Sequence, residues 1–252
     1  PRTDQMIYSA SVVNEETDTS ESTLRTIGAS LNRGRGKWRE SVALNYQQED
    51  FIVAGDQGDS TLLIPSVDWS RIWGREFVHV LDGLRFDIGL RGASEKLVSD
   101  TDFFQIQGGL KGITSLGVNN RIIARGRFGS TVTDEFHQLP SSVRFFAGGS
   151  QSVRGYAYQS LGPVDDSGRV VGGKHLMTGS IEFEHSLGGK WGVAIFYDAG
   201  NAIDDLDDKL ERGAGLGLRW KSPIGPVRID FASALTRPGD PWRIHINIGP
   251  DL

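Results

Sequence analysis

Cysteine is absent from the 252 residues of this chain. The absence excludes a disulfide framework and thiolate metal sites, and it is compatible with the oxidising periplasm. Long apolar runs are missing too, because no stretch of about 18 consecutive apolar residues occurs, and this excludes a membrane-spanning helix. A membrane β-barrel is not excluded, since its strands bury only every second side chain in lipid.

A large excess of charge of one sign is also lacking. The 27 basic and 32 acidic residues give a net charge of −5, spread along the chain without a basic stripe, which argues against a nucleic-acid partner. The five histidines have no metal-ligand spacing, and no Gly-x-Ser-x-Gly motif occurs. We therefore expect no catalytic residues, no metal site and no cofactor, with a hydrolase whose catalytic groups come from separate strands as an open alternative.

The chain begins at Pro1, without a methionine or a signal peptide. We therefore expect either a mature product or a fragment of something longer. Its length fits one large all-β domain over residues 1–252, because barrels and sandwiches of this size form a single unit.

Apolar and polar residues alternate along most of the chain, most clearly near its C-terminal end. Between Trp191 and Gly200 the odd positions are large and apolar, whereas most even ones are small or polar. Alternation with a period of two separates the two faces of a strand. The residues that we predict to face lipid on this basis include Val193, Ile195, Leu216, Leu218, Ile229, Ile244 and Ile246.

About twelve such segments of roughly 9 to 12 residues recur, the length that crosses a bilayer at a tilt. A soluble sandwich also alternates, but its strands usually have about 5 to 6 residues. The connections alternate short and long, as in outer-membrane barrels, except that Trp73 to Gly83 is long on the short-turn side. We therefore predict an all-β fold, an antiparallel transmembrane β-barrel. Six aromatic residues lie near predicted strand ends or in phase with the apolar face, and they belong either to aromatic girdles at the membrane interfaces or to the core: Trp69, Trp73, Trp191, Tyr197, Trp220 and Trp242.

The longest connection, Thr133 to Gly173, carries Arg154 between an apolar residue and a glycine. Long loops in such chains are normally functional. If the loop folds into the barrel, the guanidinium needs carboxylate partners. Glu182 and Asp198 both lie on the inward face of consecutive predicted strands, so one arginine can bond both. The alternative is that Arg154 is solvated and the acids hydrate the lumen.

The loop resembles the sixth outer loop of the outer-membrane insertase and translocase (BamA/TamA) superfamily. The resemblance is specific from about Arg144 onwards, and it is closer to the TamA branch than to BamA, whose chain usually ends in an aromatic residue. The matching segments are Arg144 to Gly149, the motif Val153, Arg154, Gly155 and Tyr156, then Gly179 to Phe183, Asp198 to Asn201, Gly215 to Trp220, Ser222 to Pro226 and Ile248 to Leu252.

The resemblance implies that the loop arginine lies in the lumen against two acids, here Arg154 with Glu182 and Asp198. The family's barrel has sixteen strands preceded by POTRA domains, so this chain is expected to supply the last twelve strands, without the first strands or the POTRA domains. We predict that Met6 to Val13 pairs with the terminal strand to close the barrel. The lipid-facing terminal-strand residues are Trp242, Ile244, Ile246 and Ile248.

The resemblance also implies a function without bond chemistry, so we expect no enzyme activity. It indicates a factor of the bacterial outer membrane that helps insert or secrete autotransporters and other barrel proteins. The implied partners are outer-membrane lipid, unfolded outer-membrane protein clients and an inner-membrane-anchored TamB-like protein. The alternative is a pore of the two-partner secretion type that conducts a polypeptide or a solute.

Overall fold

The computed structural model consists of β-strands that follow one another in a single antiparallel sheet. It describes residues 4–74, 82–222, 225–239 and 241–249. Each strand pairs with its neighbours in the chain, so the order in space equals the order in sequence. The strands are β1 (Gln5–Glu16), β2 (Ser20–Arg35), β3 (Trp38–Val53), β4 (Asp56–Gly74), β5 (Gly83–Ala93), β6 (Phe103–Leu116), β7 (Asn120–Val132), β8 (His175–Gly188), β9 (Trp191–Ile203), β10 (Glu211–Ser222), β11 (Gly225–Ala234) and β12 (Trp242–Ile248).

The predicted all-β antiparallel architecture with twelve strands is confirmed in the described ranges. The predicted lengths of roughly 9 to 12 residues are most clearly wrong for β2, β3 and β4, which have 16, 16 and 19 residues. The strands β6 to β9 are also longer, with 13 or 14 residues, and β12 is shorter, with 7. At about 3.3 Å per residue, β4 spans about 60 Å, more than a tilted strand needs to cross about 30 Å of hydrocarbon. The hairpin of β3 and β4 therefore extends beyond the membrane, where Phe51 and Val53 are buried and pack with Val171 of the long loop.

The two faces of the sheet differ in exposure as the alternation predicts. On β9, Ile195 is 56% exposed, whereas Phe196 and Asp198 are 5% and 0% exposed. The same face is exposed on the neighbouring strand, because Ile195 lies opposite Leu216 and Leu216 is exposed as well. The apolar face is therefore the convex side of the sheet, and the small or polar face lines the lumen.

At one end of the sheet, residues 36–37, 117–119 and 189–190 form short turns, as predicted. At the other end, 94–102 and 204–210 are among the longer loops, but the connections at 17–19 and 54–55 are short, so the alternation of short and long connections is less regular than predicted. Short turns face the periplasm in outer-membrane barrels. Within the described ranges the helical elements are two 3₁₀ turns, and no helix there is long and apolar enough to cross a membrane. Most of the Trp73 to Gly83 connection, the turn at 223–224 and residues 250–252 lie outside the described residues.

The tryptophans lie at the ends of strands rather than in the core. Trp191 and Trp220 stack with their ring centroids 5.9 Å apart at the short-turn end, and they are 49% and 38% exposed. Trp242, at the opposite end, is 69% exposed. These positions fit aromatic girdles at the two membrane interfaces.

β1 and β12 are the two edges of the sheet and share no ladder in the described residues, so the predicted pairing of Met6 to Val13 with the terminal strand is wrong. The diameter of a barrel grows with its number of strands. The lumen here also holds the loop of residues 133–174. The loop makes hydrogen bonds to both edges from inside.

The convex face predicts how a charge is tolerated there. Leu216→Arg, in the middle of β10, should cost about 2 to 4 kcal/mol of unfolding free energy, because arginine near the bilayer midplane loses its hydration. The control is Leu206→Arg in an outer loop, where Leu206 is already 76% exposed and little change is expected. Urea titration of the barrel folded in phospholipid vesicles measures both. Equal losses for the two variants would contradict the assigned orientation.

Candidate functional site: the loop inside the barrel

The loop of residues 133–174 is built as an ordered layer against the inner wall. Phe145 and Gly173 exchange two backbone hydrogen bonds of 3.0 and 2.8 Å, and Ala147 pairs with Leu161 in the same way. Its apolar side chains are removed from water, with Val143 at 0% exposure in a cluster formed with β4 and β6. Burial of this extent fixes the loop in one place.

A positive-φ turn places the loop against β11. Gly155 has φ of 97°, a conformation that favours glycine. A Cβ at this position would also lie 2.8 Å from the backbone of Ser233 on β11. Glycine therefore allows both the turn and the close approach that present Arg154 to the wall.

Arg154 is 2% exposed, and all three nitrogens of its guanidinium donate hydrogen bonds to residues of the barrel wall. Its Nε and Nη2 donate to the two carboxylate oxygens of Asp198 at 2.7 and 2.9 Å. Its Nη1 donates to Glu182 at 2.7 Å and to Asp230 at 3.0 Å. Nη2 also donates to the hydroxyl of Ser180 at 3.2 Å, and the backbone N–H of Arg154 donates to Asp198 at 3.0 Å. A lysine has no planar fork and could not make this set of bonds.

A second arginine on the wall completes the charge balance. Arg219 donates to Glu182 and to Asp230, each at 2.6 Å, and to Glu184 at 2.9 Å. Arg121 bonds the other oxygen of Glu184 at 2.5 Å. Arg125 lies 4.0 Å from Asp198. The arginines and carboxylates named here therefore neutralise one another, as buried charges must. We call this set the ion cluster: Arg121, Arg125, Arg154, Arg219, Glu182, Glu184, Asp198 and Asp230.

The protonation state of Arg154 does not vary over the usual pH range. Burial alone would lower the pKa of its guanidinium, but the hydrogen bond and charge of Asp198, together with Glu182 and Asp230, raise that pKa above the ordinary value. A raised arginine pKa means that the charged form, and the stability that it contributes, is present at every pH at which the barrel is folded.

Glycines and one aromatic ring shape the space around the cluster. The guanidinium carbon of Arg154 lies 3.4 Å from the ring centroid of Phe196, which adds a cation–π contact. A Cβ on Gly213 would lie 1.9 Å from the carbonyl oxygen of Arg154, and one on Gly217 would lie 2.3 Å from Arg219. The alternate glycines of β10 thus leave room for the loop backbone and for the ions.

The other members of the Val153 to Tyr156 motif anchor the loop on both sides of the arginine. Val153 is 0% exposed and packs with Ala147 and Leu161. Tyr156 is 1% exposed, and its hydroxyl bonds Glu211 at 2.9 Å and Thr236 at 2.7 Å. Burial, with the neighbouring Glu211, raises the pKa of Tyr156, so its hydroxyl stays protonated and able to donate.

The same loop reaches both edges of the sheet. The Gly155 N–H donates to Nε2 of His245 on β12 at 3.0 Å, and Gln151 donates to Asn247 on β12 at 3.2 Å. On the opposite side, Gln159 donates to Glu15 of β1 at 3.1 Å. Nε2 of His245 is the acceptor, so it carries no proton in this arrangement. Loop residues 151–159 therefore connect the two edges that share no ladder.

The structure brings together Arg154, Glu182 and Asp198, the residues chosen from the sequence. The sequence analysis did not select Asp230 or Arg219 as partners in this cluster, although both lie at inward-facing positions of their strands. The terminal strand has its apolar residues on the convex face, whereas its loop contacts come from the inward residues His245 and Asn247, which were not chosen. On β12, the exposed fractions of Trp242, Ile244, Ile246 and Ile248 are 69%, 63%, 65% and 63%.

Chemically, the cluster can hold a segment in place but has little room for a ligand. The cavity beside Arg154, bounded also by Lys111 and Asn247, has a volume of about 20 Å³, which suits about one water molecule. In the described part of the chain, no group of three or more histidines, aspartates or glutamates is arranged to hold a metal ion. The geometry is that of a latch between loop and wall.

The space left by Gly213 yields a test of this latch. Gly213→Ala places a methyl group where the Arg154 carbonyl lies, so we expect the loop to shift and become cleavable by protease. Gly179→Ala is the control, because a Cβ at Gly179 meets nothing within 4 Å. Limited proteolysis of the folded barrel should cut Gly213→Ala at least about tenfold faster than the control, a difference of about 1.4 kcal/mol in loop opening. Equal cleavage rates would contradict the close contact.

Known proteins are similar to this chain in sequence. Residues 81–251 match the Omp85 superfamily domain. The chain is 29% identical over 144 residues to the outer membrane protein assembly factor BamA of Nitratidesulfovibrio vulgaris, covering 54% of this chain and 18% of that protein. It is 31% identical over 117 residues to the chloroplastic outer envelope protein 80 of Arabidopsis thaliana, covering 42% and 14%. The chain thus spans less than a fifth of the length of these relatives.

Solved structures share the fold. The crystal structure of BamA from Haemophilus ducreyi lacking POTRA domains 1-3 superposes with a TM-score of 0.72 at 18% identity, over 90% of this chain and 53% of that one. CdiB from Acinetobacter baumannii superposes with a TM-score of 0.61 at 15% identity, over 92% and 42%. Because the family domain covers more than half of its residues, the chain belongs to the Omp85 superfamily.

Proposed function

We propose that this chain acts in assembling or translocating other outer-membrane proteins, in the manner of the TamA branch of its superfamily. As an Omp85 member with an apolar convex face, it is an outer-membrane barrel protein. Its clients would be unfolded barrel proteins such as autotransporters, and its periplasmic partner would be a TamB-like protein anchored in the inner membrane. The reaction is folding and insertion, so no catalytic group or cofactor is needed.

The observation that carries this proposal is the ion cluster that fixes the loop inside the barrel. Arg154 is held by three carboxylates while its loop occupies the lumen. Through these ion pairs the loop connects β8, β9 and β11 from inside the barrel. The loop would thus act as a brace that keeps the wall in shape while a client is handled.

The alternative is a conducting pore of the two-partner secretion type. Members of this class share the superfamily loop, and their function requires a lumen that opens to a substrate. The position of the long loop, packed against the inner wall, favours the assembly role over a standing pore.

The test replaces Arg154 by alanine and compares it with Arg169→Ala. Arg169 lies in the same loop, but its side chain is 50% exposed and pairs only locally with Asp165. Each variant is introduced into the natural gene in its own bacterium, and the folded outer-membrane barrel proteins are quantified by heat modifiability. We expect Arg154→Ala to lower folded client levels about tenfold, as loss of about 1.4 kcal/mol would, and Arg169→Ala to change them less than about twofold.

The amount of the variant barrel in the membrane is measured alongside. Unchanged client levels with Arg154→Ala present at the wild-type amount would contradict the proposal. Conductance of the purified protein in planar bilayers separates the alternative, because a steady, wide conductance of the wild-type barrel would favour the pore.

A further inference from the structure

A second cluster of aromatic and charged side chains lies at the short-turn end of β3, β4 and β5, far from the loop. The rings of Trp38 and Trp73 meet edge to face with centroids 6.2 Å apart, and Trp38 meets Phe86 at 6.0 Å. The ion cluster and the proposed assembly role use none of these residues. We call this group the rim cluster: Trp38, Arg71, Trp73 and Phe86.

The rim cluster belongs to the lipid-facing side of the sheet. In the β3–β4 ladder Val42 lies opposite Val67, and Val42 is 40% exposed on the convex face. Arg71 and Trp73 follow Val67 at even spacing on β4, so they share its face. Arg71 lies opposite Phe86 in the β4–β5 ladder. The cluster therefore points towards the membrane rather than the lumen.

In the part of the chain that the structure describes, the arginine of this cluster has aromatic neighbours but no anion. The guanidinium carbon of Arg71 lies 4.3 Å from the ring centroid of Trp73 and 5.6 Å from that of Trp38. Within the described ranges of the chain it makes no hydrogen bond or ion pair, and its Nε is buried without a partner. The two rings hold the guanidinium in one orientation and leave its charge uncompensated.

The neighbouring arginines on the same face are different, because each has a carboxylate. Arg35 donates to Glu40 at 3.1 Å, and the second oxygen of Glu40 accepts from the indole of Trp69 at 3.0 Å. Arg33 lies 3.6 Å from Asp4. Among the described residues, these nearby carboxylates are thus already paired with other side chains, and Arg71 can bind an anion from outside the chain.

The surroundings define which anion this is. Tryptophans and an arginine near the ends of strands lie at the level of lipid headgroups, where the available anions are lipid phosphates. A guanidinium binds a phosphate with two parallel hydrogen bonds. The short turns are at the periplasmic end, where the leaflet consists of phospholipid. We propose that Arg71, held between Trp38 and Trp73, binds the phosphate of a phospholipid of the periplasmic leaflet.

This site fixes one lipid against the wall next to the hairpins of β3, β4 and β5. The two indole rings contact the glycerol and upper acyl region, while the guanidinium bonds the phosphate. The bound lipid would supply the anion that the protein lacks here and fix the depth of this part of the barrel in the membrane. Elsewhere on the same short-turn rim, Trp191 and Trp220 form a stacked pair without an arginine between the rings.

The test titrates the folded chain in detergent with phosphatidylglycerol and follows lipid binding by native mass spectrometry. Arg71→Gln should raise the dissociation constant of the tightest-bound lipid about tenfold, the effect of losing one charge-assisted bidentate contact. Arg35→Gln is the matched control, an arginine of the same rim and face with its own carboxylate, and it should change the constant less than about twofold. Arg71→Lys should be intermediate, because it keeps the charge but loses the planar fork.

Two further arms separate the phosphate from other contacts. Diacylglycerol, which has the same chains without the phosphate, should bind weakly and alike to wild type and Arg71→Gln. Inorganic phosphate at millimolar concentration should not displace the phospholipid. Equal phosphatidylglycerol binding by wild type and Arg71→Gln, equal binding of diacylglycerol and phosphatidylglycerol, or displacement by inorganic phosphate would each overturn the proposal. Heat modifiability verifies folding, and if Arg71→Gln does not fold, the comparison is made with Arg71→Lys.

Discussion

The bidentate contact between Arg154 and Asp198 is the interaction on which the rest of the structure depends. It fixes a loop of residues 133–174 on the wall formed by β8 to β11, and the loop in turn contacts β1 and β12. Neither edge of the sheet has the other as a partner in the described residues. Among the described residues, the ion cluster and the loop therefore connect the two edges of the sheet.

A buried ion cluster of this kind contributes little net stability, because desolvation offsets the attraction between its charges, but it fixes the position of the loop on the wall. Each charge loses its hydration on burial, and the gain is secured only while every partner is present. Removing one partner leaves like charges close together, which typically costs about 3 to 5 kcal/mol. The glycines of β10 show the same dependence on geometry, since Gly213 and Gly217 leave room that no larger residue could. Such a cluster has two states, formed or broken, which suits a brace that must hold or release.

Alternation along single strands was enough to predict the class of fold, the strand count and the inward face of Glu182 and Asp198. It could not predict depth along the lumen or contacts between distant segments. Asp230 and Arg219 had the right parity, but nothing local indicates that they meet Arg154, which lies 76 and 65 positions away in the sequence. The lengths of β3 and β4 were predicted too short, because these strands continue beyond the membrane and the predicted length was the one needed to cross it. The ladder between β1 and β12 was predicted wrongly because parity assigns residues to a face of the sheet and does not specify which strands pair.

The distance between the two edges tests most directly whether the loop holds them. Spin labels at Tyr8 of β1 and Ile246 of β12, which are 77% and 65% exposed on the convex face, report that distance by pulsed electron resonance. If the ion cluster acts as the brace, the wild-type barrel in nanodiscs gives one narrow distance distribution, and Arg154→Ala gives a broader one shifted to longer distances. A distribution that is equally narrow in both proteins would contradict a role for the loop in holding the edges.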